Sequence, residues 1–363
     1  MASNQCGTYL KMTTWGESHG PAIGVVLDGC PAGIPLCEAD LHAELVRRRP
    51  GGSVYTSPRQ EADEAQILSG IWEGVTTGTP ISILIPNRDV RPEAYAPMKH
   101  LLRPGHATFA YAQKYGVVDS RGGGRSSARE TACRVAAGAV AKKILARAEI
   151  QVLAFLSQVG DRRAAVSEWA SQDIASLRPY TTPENLFCPH AETRVDIQRN
   201  LETVMHEGDS LGGCVQFRIE GVPPGLGDPV YEKLEANLAK AMMGLPASKA
   251  FGIGSGFRAS QYQGSVHNDV YLSNFSTASN HAGGTSGGIS TGMPIEGEVH
   301  FKPTSSIAKT QPTVSLTGEL CELRLPAGSR HDPCVAIRAV PVVEAMAAWV
   351  IADAWLIQRC TRW

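Results

Sequence analysis

Apolar residues recur along the chain in two rhythms. Short alternating or β-branched runs predict strands: Ile23 to Leu27, Ile81 to Ile85, Val215 to Ile219 and Ile295 to Phe301, the last reading Glu296-Gly-Glu298-Val299-His300-Phe301. Longer stretches predict helices: Glu38 to about Arg49, the alanine-rich segment that runs to about Glu149, and a segment carrying Leu234, Leu238 and Met242. Helices fall between runs of strands, with no regular βαβ alternation. That order predicts an α+β fold with antiparallel sheets and helices packed between or upon them. Residues 160 to 190 are polar and proline-bearing, and the weak pattern predicts a surface excursion there.

The pattern also repeats. Gly16-Glu-Ser-His-Gly20, a strand, the turn Asp28-Gly-Cys-Pro-Ala-Gly33 and a helix are answered by Gly208-Asp-Ser-Leu-Gly212, a strand, the turn Gly221-Val-Pro-Pro-Gly225 and a helix. Loop and turn glycines stand 13 positions apart in both copies, Gly16 to Gly29 and Gly208 to Gly221. Thr77-Gly-Thr-Pro80 and Thr291-Gly-Met-Pro294 each lead into a further strand. Shared elements in the same order predict two related halves, roughly 1–150 and 195–363. The repeat bears on His19 as well. Its counterpart is Leu211, so the loop forms without an imidazole, and His19 reads as a functional residue.

Charge narrows the ligand. With 34 Lys+Arg against 35 Asp+Glu, the chain is no general nucleic-acid or polybasic membrane binder, and its basic clusters are expected to build a local site for a small anion. Nine cysteines without a CxxC pair predict scattered thiols in a reducing compartment, and neither a zinc site nor another metal is expected. Met1 to Lys11 lacks a signal pattern, and the apolar stretch Val340 to Ile357 is broken by Glu344 and Asp353. A cytoplasmic protein without a membrane span is expected.

Candidate chemistry is densest between residues 103 and 148. Arg103-Pro-Gly-His106 is followed by Arg121-Gly-Gly-Gly-Arg125-Ser126-Ser127 and a long helical run. A glycine loop feeding a helix N-terminus offers free N–H groups to an anion, Ser127 and Glu130 have capping-box spacing, and Arg121, Arg125, Arg129 and Arg134 add charge. Asn280-His281-Ala-Gly283-Gly284 through Gly287-Gly288 offers a second close-approach backbone. Lys302-Pro303-Thr304-Ser305-Ser306 supplies a cation and three hydroxyls for a phosphate or a planar polar ring. Arg47-Arg48-Arg49 exceeds what a helix C-terminus needs, so one of the three is expected to reach an anionic substrate. Arg330-His331-Asp332-Pro333 sits on a turn that either faces a cleft or leaves Asp332 to cap the last helix or pair with Arg330. GxxxxGK[ST], GxGxxG and HExxH are all missing, which disfavours a small-acid kinase, and the neutral charge disfavours an RNA binder built on Arg-Gly-Gly. What remains is a site with several phosphate-binding elements, two histidines and an aspartate, suited to general acid and base catalysis.

Taken in order, Gly16-Glu-Ser-His-Gly20, Arg103-Pro-Gly-His106, Gly122-Gly-Gly-Arg-Ser-Ser-Ala-Arg-Glu130, His281-Ala-Gly-Gly, Lys302-Pro-Thr-Ser-Ser306 and Arg330-His-Asp-Pro333 resemble the successive signatures of the chorismate synthase family. The resemblance implies a single domain over 1–363, with two similar antiparallel sheets sandwiching a layer of helices, usually as a homotetramer. It implies a lyase that converts 5-enolpyruvylshikimate 3-phosphate into chorismate and phosphate by anti 1,4-elimination, with reduced FMN and no net redox change. By position, His19 would protonate the departing phosphate, His106 would act on the reduced flavin and Asp332 would assist proton removal from carbon 6. Arg125, Ser126, Ser127, Ala247, Gly287, Lys302, Pro303, Thr304, Ser305, Ser306 and Arg330 match the family's FMN contacts, and Arg48 matches an arginine assigned to NADP or substrate. Val54 stands where many members carry a second arginine, and Pro246-Ala247 where an Asn-Ala pair is common. An external flavin reductase is the implied source of electrons, with NADPH as a direct or indirect reductant.

Overall fold

The computed structural model describes residues 4–57, 59–90, 92–119, 121–165, 171–325 and 331–361. The alternating runs pair into two five-stranded antiparallel sheets. The first contains β1 (Gln5–Cys6), β2 (Lys11–Gly16), β3 (Ala22–Asp28), β4 (Gln66–Ile67) and β5 (Ile81–Pro86), in the spatial order β1-β2-β3-β5-β4. The second contains β6 (Gln151–Val159), β7 (Arg162–Arg163), β8 (Gly213–Glu220), β9 (Ser248–Ile253) and β10 (Ile295–Phe301), in the order β9-β10-β8-β6-β7. In one sheet β2, β3 and β5 are neighbours with β4 outside β5; in the other β6, β8 and β10 are neighbours with β9 outside β10. Helices α1 (Glu38–Arg48) and α2 (Thr131–Ala146) belong to the first half of the chain, α3 (Leu234–Met243) and α4 (Val335–Gln358) to the second.

Strand alternation decides what enters the core. Ile23, Val25 and Leu27 of β3 and Ile295, Val299 and Phe301 of β10 point inwards, while Glu296, Glu298 and His300 lie on the other face. Gly297 is small because the Phe217 ring lies over it, where a Cβ would meet Cζ at 2.5 Å. Helix α2 packs on β3 and β5, α4 packs on β6, β8 and β10, and the two helices run against each other. Gly138 of α2 lets them approach, since a Cβ there would lie 2.3 Å from that of Ala345. Helix α4 is long and apolar enough to cross a membrane, yet 89% of its most apolar window is buried, which makes it a core helix.

One carboxylate ties these layers together. Glu344 of α4, fully buried, accepts from Arg47 Nη1 of α1 at 2.8 Å, from Lys142 of α2 and from the backbone N–H of Ala154 in β6 at 3.0 Å. Burial opposes its charge, but Arg47 and Lys142 hold its carboxyl well below the ordinary range.

Three local expectations change. The alanine-rich helix ends at Ala146, and Glu149 takes a left-handed φ of 56°. Ser127 Oγ accepts from the N–H of Arg129 rather than that of Glu130, whose carboxylate is engaged instead by Thr14 of β2 and by Arg134 one helical turn on, which displace the capping box. Within the described part of the 160–190 excursion, Ile174 and Leu177 are seated on Leu153 and Phe155 at the outer face of the second sheet.

Candidate active site

Loops from both halves converge on one cleft of about 330 Å³. The β2–β3 loop brings Ser18 and His19, the end of α1 brings Arg48, the 103–106 turn brings Arg103 and His106, and the glycine loop brings Gly122 and Ser127. The segment after β10 adds Thr304 and Ser306, and the approach to α4 adds His331, Asp332 and Arg338. His19, His106 and Asp332, far apart in sequence, therefore line one cleft.

The glycine loop is built around the histidines. A Cβ on Gly122 would lie 2.7 Å from His19 Cδ2 and Nε2, and one on Gly123 would lie 3.0 Å from His106 Nε2. Both glycines have left-handed φ angles, 68° and 116°. His19 is buried and meets Tyr95 edge to face at 5.1 Å. His106 contacts Thr108 Oγ1 at 2.9 Å and Arg103 Nη2 at 2.9 Å. Burial, reinforced by Arg103 and Lys302, pushes its pKa down to about 4, so the ring is neutral at physiological pH.

Asp332 does not cap α4, whose N-cap is Cys334, and its expected pairing with Arg330 falls outside the described residues. Its carboxylate accepts from the Ser57 N–H at 2.8 Å and from Arg338 Nη1 at 3.0 Å. Of the three consecutive arginines, Arg47 is spent on Glu44 and Glu344, Arg49 is exposed, and Arg48 alone turns inward. Arg48 gives Nη2 to Asp63 at 2.6 Å and Nη1 to Thr131 at 3.3 Å. Burial lowers it to about 10 against the pull of Asp63.

Arg59, Arg103, Arg129 and Arg338 also line the cleft against Glu61 and Asp332, so its lining is net positive. Sequence reading missed Arg59, Arg338 and the buried Asp63, which engages both Arg48 and Arg129. Arg59 pairs with Glu61 two residues on and Arg338 with Asp332 six residues before it, but nothing in the local sequence aims them at a cleft, and the Asp63 partners lie on other elements.

The expected cofactor residues do not all meet here. Ser127, Thr304 and Ser306 line the cleft, while Lys302 and Ser305 reach the Gly105 carbonyl beside His106. Pro303 packs against Gly212, and the Ala247 carbonyl accepts from the Lys302 N–H at 3.0 Å. Arg125 and Ser126 open instead into a neighbouring cleft with Thr14, Arg134, Lys240 and Pro246, because the 3-10 turn Gly124–Ser126 reverses the chain between Gly123 and Ser127. Gly287 lies exposed at a hairpin turn whose next residue, Gly288, is seated against Asp228 and Lys233, away from the cleft. The His281–Gly284 backbone does make close approaches, but to Gly254 and Pro294 of the same chain. Arg330 lies outside the described residues. Arg121 pairs with Asp119 at the surface, and Arg134 with Glu130.

A partly enclosed, cation-lined cleft with three histidines and two carboxylates defines an enzyme site for a small anionic ligand. The chain belongs to the chorismate synthase family, whose model matches residues 10–356. It is 55% identical over 364 residues to a chorismate synthase of Protochlamydia amoebophila (strain UWE25), covering 99% of each chain. It is 48% identical to one of Opitutus terrae, covering 98% of this chain and 97% of that one, and 51% identical to one of Synechococcus sp. (strain JA-3-3Ab), covering 96% and 92%. A crystal structure of a chorismate synthase superposes with a TM-score of 0.72 at 31% identity, covering 97% of this chain and 93% of that one.

Proposed function

We propose that the chain is the lyase that eliminates phosphate from 5-enolpyruvylshikimate 3-phosphate to give chorismate, a step of aromatic amino acid biosynthesis, with reduced FMN and no net redox change. The observation that carries this reading is the meeting of His19, His106 and Asp332 in one cation-lined cleft. The donors fit an anionic, polar cofactor and substrate. Ser18 Oγ, Arg48 Nε, Arg59 Nε and Thr304 Oγ1 are buried without a hydrogen-bond partner among the described residues. Each such donor costs about 1–3 kcal/mol until it is satisfied, and phosphate and carboxylate oxygens satisfy it.

Reduced flavin, when bound, lends electron density transiently to the breaking carbon–oxygen bond. His19 delivers a proton to the departing phosphate oxygen. His106, neutral at physiological pH, is held against Gly123 with its ring nitrogens on Thr108 and Arg103, and it would turn one of them to the flavin by exchanging that partner. Asp332, fixed by the Ser57 N–H and Arg338, assists removal of the proton from carbon 6. Arg48, Arg59, Arg103 and Arg129 neutralise the anions. Ser127 and Lys302 through Ser306 would hold the cofactor, with Arg125, Ser126 and Ala247 as outer contacts, while Gly287 and Arg330 rest on the family resemblance alone.

The matching strand orders of the two sheets, with helices between them, support two repeat-related halves of one domain. The family relationship supports a cytoplasmic homotetramer supplied with electrons by a separate flavin reductase, with NADPH as the ultimate or direct donor. The test is anaerobic phosphate release from 5-enolpyruvylshikimate 3-phosphate. Chorismate and phosphate formed with chemically reduced FMN, and not with oxidised FMN, are the expected result. No release from folded, flavin-bound protein would overturn it.

A further inference from the structure

The outer face of the second sheet carries a cluster that elimination chemistry does not use. Cys214 of β8 and His300 of β10 are direct cross-strand partners, and Glu298, two residues before His300, projects from the same face. Cys214 Sγ lies 3.7 Å from His300 Nε2 and 3.8 Å from Glu298 Oε2, and His300 Nε2 lies 3.2 Å from Glu298 Oε1. One donor atom from each residue falls within 4.8 Å of the others.

We propose that Cys214, His300 and Glu298 form a binding site for a divalent transition-metal cation of the zinc type. Tetrahedral zinc with metal–sulfur bonds of about 2.3 Å and metal–nitrogen or metal–oxygen bonds of about 2.1 Å has donor–donor edges of about 3.4–3.6 Å. The His300–Oε1 edge of 3.2 Å and the Cys214–His300 edge of 3.7 Å bracket that range, and one donor of each residue lies within 4.8 Å of the others, so a cation can enter with side-chain shifts alone. The donor set, one thiolate, one imidazole and one carboxylate, suits zinc or cobalt rather than calcium or magnesium. Its two negative charges balance a divalent cation. The carboxylate is already oriented from outside, since Glu298 Oε2 accepts from Arg163 Nη2 at 2.6 Å and from Gln216 Nε2 at 2.9 Å, leaving Oε1 towards His300. Access is provided by a cavity of about 440 Å³ lined by Arg163, Gln216, Phe257, Glu298 and His300. Three protein donors leave the fourth position to water. Cysteine spacing gives no hint of this, because strand pairing joins residues 86 positions apart.

Cobalt(II) is the probe. The full-length chain is treated with a chelator, desalted and titrated anaerobically with cobalt chloride. One equivalent is expected to give a near-ultraviolet thiolate-to-cobalt charge-transfer band and intense visible bands of tetrahedral cobalt, both removed by added zinc. Cys214→Ser should abolish the charge-transfer band, and Cys360→Ser, at an exposed thiol, should leave it intact. Arg163→Gln, which keeps all three ligands, should weaken cobalt binding about 10- to 100-fold. Because Cys214 is fully buried, His300→Gln at a half-buried position serves as the second ligand variant, with circular dichroism verifying its fold. Absence of the band in the unaltered chain, or its survival in both Cys214→Ser and His300→Gln, would overturn the proposal.

Discussion

The ring of His19 rests on the bare Cα of Gly122, so close that a methyl group there would fall 2.7 Å from Nε2. The next glycine stands in a similar relation to His106, at 3.0 Å. One loop thus sets the position of both histidines, which come from separate elements.

Gly122→Ala should therefore injure catalysis more than folding. The left-handed φ of 68° adds about 1–2 kcal/mol of strain. Displacement of His19 should lower kcat by about 100-fold, the usual effect of misplacing a reacting group by an ångström. Gly33→Ala, with a φ of 79° and nothing within 4 Å of the new methyl, carries the strain without the displacement. Steady-state elimination rates and urea midpoints of the two variants separate the effects; equal loss of rate in both would refute the positional role.

His19→Leu copies the residue that the second half carries at Leu211. Folding and FMN affinity should be nearly unchanged, while elimination falls about 100- to 10,000-fold. Loss of the native circular dichroism spectrum would instead make His19 a structural residue.

Flavin binding should weaken in the double variant Arg125→Ala, Ser127→Ala before stability suffers. Fluorescence titration with FMN tests this, and unchanged affinity would count against the glycine loop as a flavin contact. The single variants add information, because the two side chains open into different clefts.

His106 should titrate near 4 rather than near the ordinary 6.5, observable by NMR of the ring protons in the flavin-free enzyme. Arg103→Ala should move it upwards, since that cation is the second cause of its depression after burial. A lowered histidine pKa means that the unfolded chain binds more protons between about 4 and 6.5. His106 therefore costs stability as pH falls through that window, and His106→Gln should flatten the dependence there.

Glu344→Gln leaves Arg47 and Lys142 facing a neutral amide and should destabilise the protein by about 3–5 kcal/mol, measured by urea unfolding at pH 7. Its carboxyl is depressed in the folded state, so its contribution is present above the ordinary value of 4.5 and fades as pH falls below it. The gap between the unaltered protein and the variant should accordingly narrow in acid; a constant gap would mean that the carboxylate charge is not what stabilises the fold.

Strands and most helices could be read from the chain because their signal is local: Ile23, Val25 and Leu27 alternate inwards wherever the sheet lies. His19, His106 and Asp332 stood out because glycines and prolines punctuate their surroundings. Pairings across the fold left no such trace. Ser127 and Glu130 have the spacing of a mutual cap, yet Thr14 and Arg134 claim the glutamate from outside the motif. Arg48 read as an anion contact, and the structure gives two of its nitrogens to Asp63 and Thr131, leaving only Nε free to turn to a ligand. Gly287 looked like another close-approach glycine, but its hairpin is seated on Asp228 and Lys233 instead of the cleft.

Glu344 has one more implication. Its partners Arg47, Lys142 and the Ala154 N–H all lie before the 160–190 excursion, and the carboxylate itself, on α4, lies after it. A polypeptide cut in the 160–190 excursion would strand two cations on one fragment and an uncompensated carboxylate on the other. Neither fragment could close its apolar face alone, whereas mixing the two should restore a folded, active heterodimer. The two segments are obligate complements, and the enzyme could be divided between two polypeptides only if they were made together.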